Sequence, residues 1–258
     1  MAYEIHNGRI STWSLEAHLV NHCNLRCVHC CTLSPRLAHS VLEPAVLDRD
    51  LRALAPVLAP QVLKLTGGEP LLHPAIVACL HAARESALAP VVQVTTNGFL
   101  APRMEPAFWR LVQRLSVSLY PSAPLPDATL GLILERCEQN GVELRLKPAP
   151  RFSVMDADPP HDDPAVFESC WLRHRCHMAW RGRFFLCTRP PHLAETLGNP
   201  ALLEDGIPLH EPELQQRLLD CLQRTAPLSG CRWCLGATGE MQPHRQHERA
   251  PASGPVAG

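Results

Sequence analysis

The stretch Ser14-Leu15-Glu16-Ala17-His18-Leu19-Val20-Asn21-His22-Cys23-Asn24-Leu25-Arg26-Cys27-Val28-His29-Cys30 decides how the rest of the chain is read. Residues 14–20 are strand-like, and three cysteines follow at once, spaced three and then two residues apart. Outward from this point the same pattern repeats. Residues 44–58 carry Val46, Leu47, Leu51, Leu54 and Leu58 near helical spacing, with Pro44 suited to a first turn. Residues 62–65 form a short apolar strand that stops at Thr66-Gly67-Gly68-Glu69-Pro70. A helical stretch at 74–88 leads to the β-branched run 91–95, which ends at the turn signal Asn97-Gly98.

Further helix–strand pairs follow at 106–113 and 115–119, then at 127–140 and 142–146, with Gly141 stopping the last helix. Strand and helix alternating at this interval predict an α/β fold with a parallel sheet, a partial (β/α) barrel of TIM-like type. Such sheets place their sites at the C-terminal ends of the strands. Three strand ends carry suggestive residues: the first cysteines, Gly67-Gly68-Glu69, and Thr96-Asn97-Gly98. The expected organisation is a barrel over 1–150, a smaller cysteine-rich unit over 151–235, and a disordered Gly/Ala/Pro-rich tail over 236–258.

The chain has 258 residues, a hydrophobic fraction of 46% and a formal net charge of −1. The size and apolar content allow one sizeable core with an appendage. The balanced charge gives no reason to expect nucleic acid or an anionic membrane as partner. No apolar run approaches the roughly 20 residues that span a bilayer, and no signal peptide is evident. The expected location is the cytoplasm, where twelve cysteines read as metal or iron–sulfur ligands and small core residues rather than disulfides.

Cys23, Cys27 and Cys30 can wrap one face of a cubane cluster and leave its fourth iron open to an outside ligand. A zinc site would need a fourth donor, which Cys31, His22 or His29 could supply, so spacing alone leaves zinc open. Five more cysteines fall in the second unit: Cys170, Cys176, Cys187, Cys231 and Cys234. The pair Cys231-Arg-Trp-Cys234 has metal-ligand spacing, and the segment 180–187 reads as a hairpin turning at Gly182 and delivering Cys187 at its end. One zinc held by four of these thiols is the alternative to iron. Cys79, Cys137 and Cys221 lie among apolar neighbours in helical stretches and read as buried small hydrophobes.

With these motifs in order, the chain resembles the radical S-adenosylmethionine (SAM) superfamily. The cysteine triad matches that family's cluster signature, Gly67-Gly68-Glu69-Pro70 its Gly-Gly-Glu motif, and Thr96-Asn97 a familiar loop after the next strand. The resemblance covers about residues 14–150. It implies a [4Fe–4S] cluster on Cys23, Cys27 and Cys30, with SAM on the open iron. It implies SAM contacts from Gly67, Gly68, Glu69, Pro70, Thr96 and Asn97, and from Ser118 and Lys147 on later strands. His29 stands where the family often has an aromatic residue against the adenine.

The second unit resembles the SPASM and twitch subdomains of that superfamily. The shorter, twitch form implies one auxiliary [4Fe–4S] cluster on Cys187, Cys231, Cys234 and either Cys170 or Cys176. The whole is similar to twitch-type aminocyclitol (deoxy-scyllo-inosamine) dehydrogenases. The resemblance thus implies a radical enzyme that takes a hydrogen atom from a sugar, aminocyclitol or related natural product, for oxidation or epimerisation. Its partners would be a small-molecule substrate and an external electron donor such as flavodoxin or ferredoxin. Maturation of a ribosomally made peptide is the alternative substrate reading. A non-catalytic iron–sulfur or zinc protein is the alternative of another class. Cys31, beside the triad, is either a packed thiol or a hydrogen donor to a substrate radical.

Overall fold

The protein, described over residues 3–248 by a computed structural model, is organised around one nine-stranded sheet. In chain order the elements are β1 (Ile5–His6), β2 (Arg9–Val20), α1 (Pro44–Leu54), β3 (Leu58–Gly67), α2 (Ile76–Glu85), β4 (Val92–Thr96), α3 (Pro106–Leu111), β5 (Arg114–Leu119), α4 (Asp127–Asn140) and β6 (Glu143–Pro148). Then come β7 (Arg151–Ser153), α5 (Pro164–Ser169), β8 (His177–Trp180), β9 (Arg183–Phe185), α6 (Arg189–Thr196), β10 (Gly206–Pro208), α7 (Leu214–Gln223) and β11 (Met241–Pro243). Strands β2 to β6 lie side by side in sequence order, all parallel. Consecutive parallel neighbours joined by helical crossovers put the helices on one face and curve the sheet, which is the partial barrel read from the pattern.

Local chemistry explains most of the element limits. Pro44 opens α1, which buries Leu47, Leu51 and Leu54. The helix ends sooner than its apolar spacing predicts, because Pro56 cannot continue the ladder. Leu58 belongs instead to β3, opposite Ile10 in the register. The first strand is longer than residues 14–20, beginning at Arg9, since its N-terminal half also pairs with β3. Helix α4 spans the expected residues, and Gly141 caps it in the left-handed region at φ 65°. Cys79, Cys137 and Cys221 are buried in the core, as their neighbours suggest.

The cysteine-rich half is not a detached unit. Strand β8 pairs in parallel with β2, and the sheet continues through β9 and β10. The β8–β9 hairpin turns at Arg181 and Gly182, with φ 46° and 78°, a left-handed pair that suits a tight hairpin. Asp50 on α1, itself buried, accepts the Gly182 backbone N–H at 2.6 Å and faces His210 Nε2 at 3.2 Å, tying the hairpin to the barrel.

The expectation of disorder from residue 236 needs correction. Strand β11 pairs with β7, and Gln246 forms a bridge with Cys27. This stretch has little apolar content of its own, and its order comes from backbone pairing with distant segments. The remainder of the expected tail, 249–258, lies outside the described residues. No helix among the described residues is long and apolar enough to cross a membrane.

Candidate active site and cysteine centres

The loop carrying Cys23, Cys27 and Cys30 leaves the end of β2 and is held from two sides. On one side, Gly68 N–H donates to the Val20 carbonyl at 2.8 Å and Glu69 N–H to the His22 carbonyl at 3.0 Å. A β-carbon on Gly67 would sit 2.3 Å from the Val20 oxygen, and one on Gly68 only 2.0 Å from the His22 oxygen. The two glycines are therefore required for the ends of β2 and β3 to approach this closely. On the other side, the C-terminal segment donates from His247 N–H to the Arg26 carbonyl at 2.8 Å, and accepts from Val28 N–H at the Arg245 carbonyl at 2.9 Å.

Each of the three sulfurs has a polar neighbour. Cys23 Sγ accepts from the Leu25 backbone N–H at 3.4 Å and lies 3.7 Å from Asn97 Nδ2. Cys27 Sγ accepts from Gln246 Nε2 at 3.3 Å, and Cys30 Sγ lies 3.2 Å from Thr32 Oγ1. Burial pushes the Cys23 thiol up to about 12 and the Cys27 thiol to about 11. A bound cation reverses that preference by favouring the thiolates.

Glu69 is 1% exposed and organises the floor beside this loop. Its carboxyl accepts from Thr96 Oγ1 at 2.6 Å, Asn97 N–H at 2.8 Å and Leu71 N–H at 3.0 Å. Burial pushes it to about 7, against three hydrogen bonds that favour the charged form. Asn97 Nδ2 in turn donates to Asn24 Oδ1 at 2.7 Å, linking the β4 loop to the cysteine loop.

These groups border a cavity of about 340 Å³ at the C-terminal ends of the barrel strands. Of the residues singled out from sequence, Cys23, Cys27, Cys30 and Cys31 line it, as do Gly67, Gly68, Glu69, Thr96 and Asn97. Ser118 and Lys147 line it from β5 and β6. Pro70 and His29 do not line it. Pro70 is buried at the start of a short helical turn. His29 has a left-handed backbone at φ 58°, and its Nε2 lies 3.2 Å from Gln242 Oε1 on β11, so its ring borders a neighbouring surface depression instead.

Two charged groups on the cavity wall were missed in the sequence, Glu16 and Arg189. Glu16 on β2 stands opposite Lys64 on β3, with Nζ to Oε1 at 3.2 Å, and His18 Nε2 lies 3.5 Å from its other oxygen. Burial pushes its carboxyl up, but His18 and Lys64 together hold it below the usual range. A lone Glu and a lone Lys, each inside an apolar strand, were the available signal.

The second group of cysteines divides cleanly. Cys170, Cys187, Cys231 and Cys234 line one cavity with apolar walls that include Met155, Phe167 and Leu228. Cys176 is absent from that wall and lines the barrel cavity instead. Cys187 borders both spaces. Burial holds the Cys187 thiol well above its ordinary value and pushes Cys231 to about 11. Among the described residues, no three His, Cys, Asp or Glu side chains converge closely enough to grip a single metal ion. Four thiols around one space are a donor set that suits an iron–sulfur cluster or a single zinc ion. Gly236 also borders this space: its left-handed backbone at φ 54° suits glycine, and an added β-carbon would lie 2.9 Å from Cys170 Sγ.

Three thiols, two glycines and a buried carboxyl thus meet at one cavity at the strand ends of the barrel. Residues 18–137 match the family model of the radical SAM superfamily, and this stretch of the chain is a radical SAM domain, the kind that binds SAM on a [4Fe–4S] cluster. The structure of BtrN in complex with AdoMet and 2-DOIA is similar, with a TM-score of 0.51 and 14% identity over 86% of this chain and 92% of that one. That likeness shows the fold. Among curated relatives, a GTP 3′,8-cyclase of Trichodesmium erythraeum is 28% identical over 125 residues, 46% of this chain and 37% of that protein. One of Geobacter sulfurreducens is 38% identical over 111 residues, 41% of this chain and 33% of that protein. The chain thus spans about a third of the length of the curated relatives it matches.

Proposed function

We propose that the protein is a radical SAM enzyme that takes a hydrogen atom from a C–H bond of a sugar, aminocyclitol or related natural product, for oxidation or epimerisation. The observation that carries this reading is the position of Cys187, which borders both the barrel cavity and the second cysteine cavity. A substrate in the barrel would lie between the two centres.

Cys23, Cys27 and Cys30 would hold a [4Fe–4S] cluster with SAM, which supplies the 5′-deoxyadenosyl radical on reductive cleavage by an external donor such as flavodoxin or ferredoxin. The Gly67-Gly68 backbone and the Glu69–Asn97 network shape the wall beside that site. Tyr120 and Phe152, packed edge to face at 5.8 Å, close another part of the wall and limit water. Glu16 and Lys147 offer an acceptor and a donor to a polar substrate. Cys170, Cys187, Cys231 and Cys234 would hold one auxiliary [4Fe–4S] cluster. Cys31 also faces the cavity and is exposed to it. A thiol at that position could give a hydrogen atom to a substrate radical, which would make the outcome epimerisation.

The GTP 3′,8-cyclase relatives support the shared domain but cover only a third of those proteins, so their substrate enters as a competitor in the test. Anaerobically reconstituted protein with dithionite and SAM is offered an aminocyclitol, a ribosomal precursor peptide or GTP, and 5′-deoxyadenosine is followed with product mass. Turnover with the aminocyclitol is expected, with a two-hydrogen loss for oxidation or a new stereoisomer of unchanged mass for epimerisation. Turnover with peptide or GTP alone would overturn the substrate class. No SAM cleavage with both clusters loaded would overturn the enzyme reading.

A further inference from the structure

Arg189 joins the two cysteine centres. It opens α6 two residues after Cys187, is 2% exposed, and borders both cavities. One terminal nitrogen donates to the Cys31 carbonyl at 3.3 Å, next to the Cys30 ligand position. The other pairs with Asp156. Its Nε has no hydrogen-bond partner.

The local charges do not balance. Asp156 is shared, because Arg36 Nη1 also binds it at 2.8 Å, and its side chain is 44% exposed. Two guanidinium groups thus lean on one partly solvated carboxylate. Across the cysteine cavity, Arg173 Nη1 is likewise buried and without a partner. The remaining walls near Arg189 are apolar, including Met155, Pro190 and Leu228. A buried cation short of countercharge costs several kcal/mol, and an unpaired buried donor adds to that. In the cysteine cavity that Arg189 borders, the groups able to become anionic are the thiols of Cys170, Cys187, Cys231 and Cys234. As thiolates on an iron–sulfur cluster they would supply both the missing charge and an acceptor sulfur.

We propose that Arg189 is a positioning residue and fixed counter-ion for the auxiliary cluster, its Nε–H directed at a ligand sulfur, and that its charge favours the reduced form of that cluster. This rests on the reading that Cys170, Cys187, Cys231 and Cys234 hold iron and sulfide. Reduction adds one electron and no proton, so an adjacent permanent cation raises the reduction potential. The same side chain, through the Cys31 carbonyl, ties the auxiliary centre to the loop of the first one.

The test uses the full chain carrying Cys23→Ala, Cys27→Ala and Cys30→Ala, so that only the auxiliary cluster remains, with Arg189, R189K or R189Q. Iron and sulfide are counted, and the cluster is titrated with dithionite under EPR. With Arg189 present, about four irons are expected. R189Q should shift the midpoint to more negative potential with altered g-values, and R189K should shift it less. Should R189Q fail to load while R189K loads, the loss follows the charge and supports the counter-ion role; failure of both overturns it. A loaded R189Q with an unmoved midpoint overturns the counter-ion role of Arg189, and a loaded R189K with an unmoved spectrum overturns the role of its Nε–H. No iron with Arg189 present overturns the auxiliary-cluster reading itself, so the two failures are distinct.

Discussion

Replacing Gly68 by alanine tests the close approach on which the first centre depends. A β-carbon there would lie 2.0 Å from the His22 carbonyl oxygen and 2.4 Å from its carbon. Ordinary contact needs well over an ångström more, and both obstacles are backbone. The only relief is to move the end of β3 away from the loop that carries Cys23. That separation breaks the Glu69 N–H to His22 carbonyl bond of 3.0 Å and the Gly68 N–H to Val20 carbonyl bond of 2.8 Å. Two buried hydrogen bonds at about 1–3 kcal/mol each place the cost at about 2–6 kcal/mol. Urea denaturation of the apo protein reads the stability, and iron counting after reconstitution reads the centre. G68A should lose stability by that amount and lose iron from the first centre while keeping the second. Gly131 serves as the contrast, since it lies within α4 with open space around its would-be β-carbon. G131A should stabilise by about 0.5–1 kcal/mol. A G68A protein with unchanged stability and full iron would refute the argument that the glycines exist for this approach.

Three further outcomes follow from the geometry. Cys170→Ser should remove roughly half the iron of the reconstituted protein, while Cys176→Ser should leave iron content intact, and the reverse pattern would exchange their roles. Glu69 titrates near 7 in the fold against an ordinary 4.5, so its contribution to stability is full below about pH 4.5 and is lost as pH rises through about 7. The stability of wild type relative to E69Q should therefore fall by up to roughly 3 kcal/mol from about pH 4.5 to about pH 8 in urea melts, and a flat difference would remove the buried-acid argument. Asp50→Ala strands the Gly182 N–H and should cost about 2 kcal/mol by thermal or urea melt, with faster hydrogen exchange confined to the β8–β9 hairpin.

The parts of the fold set by local chemistry were legible. Alternating strand and helix patterns, Pro44 and Gly141 marked the elements, and the strand ends at Cys23, Gly67 and Thr96 pointed to one rim. What escaped were contacts between residues far apart in sequence. The pairing of β8 with β2 has no local signature, so the cysteine-rich half read as a separate unit. The segment after residue 236 read as disordered because it lacks an apolar period, yet β7 and the Cys27 loop order it through backbone bonds. Glu16 looked like one polar residue in a strand until Lys64 fell beside it in the register. The choice between Cys170 and Cys176 rests on side-chain direction around a cavity, which spacing does not carry.

The docking of β8 along β2 also bears on how the two halves can be separated. A chain cut near residue 150 would keep every strand of the barrel, but the side of β2 that β8 covers would become a bare edge. That edge includes apolar Leu15 and Ala17, and unpaired parallel edges invite pairing with other chains. The cysteine-rich half therefore also works as a guard strand, and the isolated barrel should aggregate whether or not its first iron site is intact.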